Sequence, residues 1–395
     1  MQSECSYIYS AVRTPIGRFN GVFSDISAPD LAAVAIRESI ARAGIPPEKI
    51  TEVILGNVLS AGLGQAPARQ AAIKGGLPFH AGAMTVNKVC GSGLQAVMLA
   101  HDAIRLKSAE FVIAGGMESM SQSPLLQMRE RKGLETRGAI DSMVHDGLWD
   151  SFLDCHMGEI AERLAKSGNY SRSAQNEYAL LSYRRARAAQ EAGSFTGEIV
   201  AVPVTGQQIM VEKDEQPYAR DLEKLQHLLP VFVKEGGTVT AGNASSLNDG
   251  AAALVLGSYD KAGALREPPL PMARVVGHAA HSQLPVEFPL APAGAINKLL
   301  LKWGLGLDDI DLFEINEAFA VTTLAVCDRL KLSLDKVNVN GGAVALGHPI
   351  GASGARILVT LLHALKARGL RRGIAAICLG GGEAVALGVE MMAGE

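Results

Sequence analysis

Two cysteines, one histidine and one asparagine carry the groups most able to do chemistry in this chain. Cys90 lies in residues 86–97, Val-Asn-Lys-Val-Cys-Gly-Ser-Gly-Leu-Gln-Ala-Val. A β-branched stretch leads into it, and after Gly-Ser-Gly an apolar run with helical spacing begins. The thiol is therefore expected where a strand turns into a helix. A helix start offers partial positive charge and free N–H groups, which favour thiolate over thiol. A lowered thiol pKa is what a nucleophile needs. The competing expectation for a lone cysteine is a small buried hydrophobe. His348 sits in the glycine-dense stretch 340–356. Such a loop lets backbone approach a ligand closely and fixes an imidazole; the alternative is a structural turn with a surface histidine. Cys378 closes a strand-like run from Ile374, and Asn316 opens Asn-Glu-Ala-Phe after another. A core cysteine and a turn residue are the plainer readings of those two. In mostly parallel sheets, ligands bind beyond the carboxyl ends of strands. On that rule Cys90, Asn316 and Cys378 converge, with His348 beside them.

The elements that must position these residues repeat. Ser27-Ala-Pro-Asp30 reads as a helix start with a capping box. A stripe of Leu31, Val34, Ala35 and Ile40 follows, Gly44 stops it, and residues 50–57 read as a strand ending in Asn57. The order returns with residues 293–301, a stop at Gly304, and a strand over 310–316 ending in Asn316. Ser92-Gly93 and Ser353-Gly354 each start a helix, and the strands after them end at Gly115-Gly116 and Gly380-Gly381. Ile50 to Ile310, Asn57 to Asn316 and Ser92 to Ser353 are all offsets of roughly 260 residues, which is domain duplication rather than a short-repeat array. Alternating strands and helices imply a mixed or mostly parallel sheet covered on both sides. Residues 120–245 have no counterpart in the second half and read as an insertion. It carries a basic segment, 127–133, and a helix over 173–193 with Tyr178, Leu181 and Ala188 on one face.

Composition removes whole classes. With 395 residues the chain exceeds one small core. A net charge of -3 and 5% aromatic residues argue against nucleic-acid binding. The basic run Arg184-Arg185-Ala-Arg187 reads as a solvated helix face. Five cysteines without a CxxC pair are neither a disulfide framework nor a zinc site, and fit a reducing compartment. No signal peptide is recognised at the N-terminus, and no charge-free apolar run reaches the ~18 residues of a membrane span. There is no Gly-x-Gly-x-x-Gly after a strand, no phosphate-binding Gly-x-x-x-x-Gly-Lys-Ser/Thr and no His-Glu-x-x-His, so nicotinamide, nucleotide and zinc hydrolase chemistry lack support.

Four segments in order then carry a resemblance: Asn-Lys-Val-Cys-Gly-Ser-Gly at 87–93, Asn-Ala-Ser-Ser-Leu-Asn-Asp-Gly-Ala at 243–251, Asn-Glu-Ala-Phe at 316–319, and the stretch 341–354 around His348. Together they resemble the thiolase family over essentially the whole chain. The resemblance implies a duplicated α/β fold: two similar αβα halves with mixed five-stranded sheets, and an insertion domain in the first. The boundaries expected are 1–119 with 246–270 for the first half, 120–245 for the CoA-binding insertion, and 271–395 for the second half.

The resemblance also implies an acyltransferase. It would catalyse reversible Claisen condensation of two acetyl-CoA to acetoacetyl-CoA and CoA through an acyl-cysteine, with coenzyme A thioesters as substrates and no metal or other cofactor. Cys90 would be the nucleophile and His348 the base that activates it. Cys378 would remove the α-proton. His348, with a water held by Asn316, would face the enolate oxygen, and the N–H groups of Cys90 and Gly380 the tetrahedral intermediate. His156, Met157, Arg220, Phe232, Ser245, Ala318 and Phe319 would line the CoA tunnel. The pair His156-Met157 looks like the short-chain, acetoacetyl-CoA type. Phe288 stands in a stretch, 286–292, that departs from the family, and it would fill acyl space. Glu383, another departure, would shift Cys378 if it pointed inward, or face away or pair. A cytoplasmic homodimer or homotetramer in lipid metabolism is expected, with no nucleic acid or membrane as partner. The alternatives are a broad-specificity 3-ketoacyl-CoA thiolase of fatty-acid degradation and a non-catalytic acyl-CoA-binding protein on the same fold. A decarboxylating ketoacyl synthase would prefer two histidines, and Cys378 argues against it.

Overall fold

Nine strands supply the frame: β1 (Ser6–Arg13), β2 (Glu52–Gly56), β3 (Gly82–Val86), β4 (Phe111–Ser119), β5 (Asn248–Ser258), β6 (Ala273–Ser282), β7 (Leu312–Ile315), β8 (Arg372–Leu379) and β9 (Glu383–Met391). The structure, a computed structural model, describes residues 5–127, 138–204 and 209–392. The strands form one sheet in the order β7-β8-β9-β6-β1-β5-β4-β2-β3, and the two-residue strand Gly17–Arg18 pairs on β5 as a tenth. The pairs β2–β3, β2–β4 and β7–β8 are parallel, and the others along the path are antiparallel. The first half thus has the expected mixed five-stranded sheet. The joint between halves is short: Ser6, Tyr7 and Ile8 of β1 against Val275, Arg274 and Ala273 of β6.

The second half departs from expectation, with four strands instead of five. Where the first half has β3, the second has only a single bridge from Phe313 to Val337. Asn338, at φ 49°, explains this. Its side chain accepts from Ile315 N–H and donates to Ile315 C=O, both at 2.8 Å. One amide side chain replaces the ladder that a further residue of strand would have supplied.

The helices complete five layers. Helix α1 (Ala28–Ala43) covers the outer face of the first half-sheet. It starts at Ser27, whose hydroxyl accepts from Asp30 N–H, and ends on Gly44 in the left-handed region. Between the half-sheets lie α2 (Ser92–Arg105) and, later in the chain, α7 (Ile350–Arg368), packed on each other through Leu94, Val97, Ile104, Leu358 and Leu361. The Ser-Gly pairs of the repeat mark where they touch. A Cβ on Gly93 would lie 2.8 Å from the nitrogen of Ala355, and one on Gly354 2.4 Å from that of Leu94. Helix α7 begins at Ile350, three residues before the Ser353 marker, and β4 runs through Gly115-Gly116 to Ser119. Helix α7 is long and apolar enough to cross a membrane, but 83% of it is buried inside the protein, so it is the core helix of the second half.

The insertion carries α3 (Met157–Ser167) and α4 (Arg172–Glu191); α5 (Ala291–Trp303) and α6 (Ala320–Leu330) cover the outer face of the second half-sheet. Helix α4 buries Tyr178, Ala179, Ser182, Tyr183, Ala186 and Ala189, while Ala188, expected on that face, is exposed. The basic run on α4 is not simply a solvated face. Arg185 donates to the carbonyls of Val337 and Leu334, and Arg187 to those of Pro217 and Arg220; only Arg184 is exposed. Arg185 fastens the insertion to a loop of the second half, and Arg187 ties α4 to another loop of the insertion itself. The basic segment after Gln127 lies outside the described residues.

Candidate active site

The turn between β3 and α2 holds Cys90 under tension. Val89, immediately before it, sits at φ 46°. For a β-branched residue that conformation costs on the order of 1–3 kcal/mol and persists only where its surroundings impose it. Here Val89 N–H donates to Asn87 Oδ1, its carbonyl accepts from Ser92 Oγ at 2.6 Å, and Ser92 Oγ accepts from Lys88 N–H. Lys88 forms an ion pair with Glu383 at the start of β9, so the Cys90 turn is moored to the other half. Glu383 therefore faces Lys88 rather than Cys378.

Cys90 is not the depressed thiol that its place suggests. Its pKa is pushed up to about 12 by burial; the N–H groups of Cys90 itself and of Gly380 pull it down, and Glu118 adds to the rise. The N–H groups that a helix start would aim at a thiolate are already spent: Gly91 N–H donates to Lys88 C=O and Ser92 N–H to Val89 C=O. Among the described residues, the N–H groups of Cys90 and Gly380 are the backbone donors that reach the sulfur. At neutral pH the group is a thiol with two donors converging on it, and it needs a base to become a nucleophile.

His348 lines the same cavity as Cys90 and carries a ring that can accept a proton. It is buried, and burial, with help from Arg356, drops its pKa to about 3, so the ring is neutral. Its Nδ1 lies 2.5 Å from Ser353 Oγ, and that hydroxyl donates its one proton to Pro349 C=O at 2.8 Å. Ser353 therefore accepts from Nδ1–H, which fixes the tautomer with a bare lone pair on Nε2. That Nε2 is buried without a protein partner.

Asn316 has the same character. It follows β7, its N–H donates to Ala376 C=O, and both atoms of its side-chain amide are buried and unpartnered. Buried polar atoms are seldom left so. Its neighbour Glu317 is the opposite case. Its carboxylate accepts from Tyr178, Ser182, Asn338 Nδ2 and the N–H of Val344. One carboxylate thus binds α4, the Asn338 turn and the loop leading to His348. Asn248 adds another tie, accepting from His348 N–H.

Cys378 occupies the next-to-last position of β8, 1% exposed, and its thiol is raised by burial and then by Cys90. It packs in an apolar cluster with Met157, Phe288 and Phe319. Beyond it, Gly381 and Gly382 sit at φ 84° and 89°, so the β8–β9 turn requires glycine there. At Gly380, however, a Cβ would meet nothing nearer than 3.7 Å, and the requirement lies in the two residues after it.

These groups surround a cavity of about 590 Å³. Cys90 and His348 line it, with His156, Met157, Arg220, Phe232, Ser245, Ala318, Phe319 and Phe288. Cys378, Asn316 and Gly380 do not line it, but Cys378 and Gly380 are within electrostatic or hydrogen-bonding reach of Cys90. His156 caps α3, accepting from Gly158 N–H, and stacks on Phe232 with ring centroids 4.7 Å apart. Ser245 donates to Ala318 C=O and so spans the two halves of the wall. Arg220, with Arg18 from the first half, brings cationic side chains to the cavity. Arg18, Met143 and Leu148 were missed in the sequence because they come from stretches without a motif. Ser353 was read only as a helix marker, and Glu317 only as part of a tetrapeptide.

Residues 6–260 match the family model for the thiolase N-terminal domain, and residues 270–391 the one for the thiolase C-terminal domain. The chain is 49% identical over 391 residues to acetyl-CoA acetyltransferase 2 of Arabidopsis thaliana, covering 98% of this chain and 96% of that one. It is 50% identical over 383 residues to a probable acetyl-CoA acyltransferase of Staphylococcus aureus strain COL, covering 95% and 96% of the two chains. Among solved structures, a thiolase from Ascaris suum in complex with coenzyme A superposes with a TM-score of 0.93 at 43% identity, covering 98% of this chain and 100% of that one. The Bacillus anthracis acetyl-CoA acetyltransferase gives 0.94 at 42% identity, covering 99% of each.

Proposed function

The chain belongs to the thiolase family, and from that premise we propose that it is an acetyl-CoA C-acetyltransferase working through an acetyl group on Cys90. The observation that carries the reading is the set of buried polar atoms left without partners around a neutral thiol: Nε2 of His348 and the amide of Asn316.

The resting protonation states suit cleavage of a 3-ketoacyl thioester. Cys90 Sγ gives its proton to His348 Nε2 as it attacks the 3-keto carbon. The oxyanion formed there lies under the N–H groups of Cys90 and Gly380; losing one such donor costs about 2.7–4 kcal/mol of barrier. The bond between the 2- and 3-carbons breaks, leaving acetyl-Cys90 and the enolate of acetyl-CoA. That enolate meets the imidazolium of His348 and a water held by Asn316, then takes a proton at carbon from the Cys378 thiol. Free CoA next gives its thiol proton to the Cys378 thiolate and attacks acetyl-Cys90. The proton on His348 returns to the Cys90 sulfur as it leaves. Condensation of two acetyl-CoA is the same sequence reversed. No step draws on a metal or redox group.

Bulky Met157, Phe288 and Phe319, clustered with Cys378 at the cavity wall, support short substrates over the broad-specificity alternative. Arg220 and Arg18 supply cationic side chains suited to the phosphates of coenzyme A. Homo-oligomerisation is part of the proposal: β3 is an edge strand of the sheet, and its Met84 is exposed. A cytoplasmic setting in lipid metabolism fits five free cysteines. The test is steady-state thiolysis of acetoacetyl-CoA beside 3-ketodecanoyl-CoA. Strong preference for the four-carbon substrate is expected. Equal or better turnover of the long one would move the chain to the degradative branch, and turnover of neither would favour a binding protein.

A further inference from the structure

Away from the cavity, two imidazoles and a carboxylate meet between the halves of the molecule. His101 and Asp102 lie on α2 and His278 on β6. Each offers one ligand atom, and the three atoms lie within 4.8 Å of one another. His278 Nε2 is 3.0 Å from Asp102 Oδ1. The rings of His101 and His278 stand edge to face with centroids 5.7 Å apart. His101 is buried, and its Nδ1 is held by Ser6 Oγ of β1 at 2.7 Å. With Nδ1 engaged, Nε2 is the ring nitrogen left to a ligand. A hydrogen-bonded second nitrogen is how a metal-ligating histidine is oriented. The side chains of His278 and Asp102 are 21% and 44% exposed, which gives an ion and its remaining water ligands a way in.

We propose that His101, Asp102 and His278 form a binding site for a divalent cation of the zinc class, clamping α2 of the first half to β6 of the second. Two imidazoles and one carboxylate are a donor set for Zn²⁺ or Co²⁺, with a water completing a tetrahedron. Nitrogen and oxygen ligands about 2.0–2.1 Å from a tetrahedral metal stand ~3.3 Å apart. The His278–Asp102 edge, at 3.0 Å, already matches, and the edges to His101, at most 4.8 Å, would shorten on binding. The role is to hold the halves together. The chemistry at Cys90 does not involve it, and the proposal does not rest on the activity assigned above.

The experiment is titration of the chelator-stripped, full-length protein with Co²⁺, followed by visible absorption and thermal unfolding. One equivalent should bind with the d–d bands of a tetrahedral nitrogen–oxygen site, without the near-ultraviolet charge-transfer band of a cobalt thiolate. The unfolding midpoint should rise with it. Asp102→Asn and His278→Gln, both at partly exposed positions, should weaken binding by at least ~10-fold, and Ser6→Ala by roughly 10-fold. Thiolysis should be unchanged in all three. Absence of binding at millimolar Co²⁺ would overturn the proposal. So would a spectrum carrying only thiolate charge transfer, which would place the ion on the active-site cysteines. Equal affinity in the wild type and in both ligand variants would do the same.

Discussion

Asn57 and Asn316 occupy equivalent places in the two halves, each just beyond a parallel strand, and they are used in opposite ways. Asn57 donates to Glu118 Oε1 at 2.6 Å, and the same carboxylate accepts from the N–H groups of Val58, Leu59 and Gly351. Asn316 gives its amide to no protein group. The first half closed its asparagine into a buried carboxylate, whose pKa burial pushes up to about 7. The second half kept its asparagine open and moved the carboxylate one residue on, to Glu317. The helix starts differ likewise. In the first half, the residues before α2 carry a thiol on a strained turn. In the second, the residues before α7 carry an imidazole whose tautomer Ser353 sets. Duplication provided two copies of one strand–turn–helix frame, and the chemistry comes from how differently the copies are filled.

The sharpest way to break this comparison is at the two cysteines. Cys90→Ser should lower thioester exchange between acetyl-CoA and free CoA by roughly 10⁴- to 10⁶-fold, as loss of a nucleophile does elsewhere. Cys378→Ser should abolish carbon–carbon bond formation while acetyl-CoA still acylates Cys90, more slowly because the departing CoA thiolate has lost its proton donor. Burst acylation retained in Cys90→Ser would end the assignment of the nucleophile.

The asparagine pair gives the next largest effect. Asn316→Ala should cost about 10²- to 10³-fold in kcat, by analogy with loss of a side chain that stabilises an oxyanion, with little change in unfolding midpoint. Asn57→Ala should show the reverse: kcat close to wild type and a loss of about 1–3 kcal/mol on denaturant unfolding, because Glu118 is left short of a donor. Equal kinetic losses in the two would remove the distinction drawn between the halves.

The pH behaviour is a smaller, signed effect. His348 titrates at about 3 instead of 6.5, so its base form survives as pH falls. Cys90 at about 12 stays a thiol as pH rises. The profile of kcat/KM should therefore be flat from about pH 5 to 8, without an acid limb at ordinary imidazole values. Stability follows the same sign. The folded state keeps His348 neutral while the unfolded chain protonates it below 6.5. The stability present above that pH should be lost progressively toward pH 3 in denaturant titrations. An ultraviolet thiolate signal from Cys90 at pH 7 would contradict the neutral pair.

Least should come from Glu383→Gln. The ion pair with Lys88 is partly exposed, with side chains 36% and 29% accessible, so its loss should cost under about 1 kcal/mol and leave kcat nearly unchanged. A large fall in turnover would mean that the charge acts on Cys378 after all.

Much of the frame was legible because it rests on local rules. The glycine stops after α1 and α5, the repeated Ser-Gly pairs and the strand-ending asparagines can all be read from spacing. The missing fifth strand was not, since it depends on an amide side chain standing in for backbone pairing at Asn338. The four chemical residues could be named from their motifs, but the state of Cys90 could not. Its thiol stays protonated because the turn consumes the helix-start N–H groups and because distant elements bury it, and neither is written near position 90. The cluster of His101, Asp102 and His278 was invisible for a related reason: 176 residues separate His278 from Asp102.

The protonated thiols of Cys90 and Cys378 have a consequence for durability. Peroxides and disulfides are attacked by the thiolate, not the thiol. Two cysteines close enough to feel each other would ordinarily be candidates for sulfenic acid formation and a disulfide between them. Burial that keeps both in the thiol form withholds that reactivity from stray oxidants. In the proposed mechanism it is released at Cys90 only as a bound thioester is attacked and His348 takes the thiol proton, so the site should tolerate oxidative episodes best when it is empty.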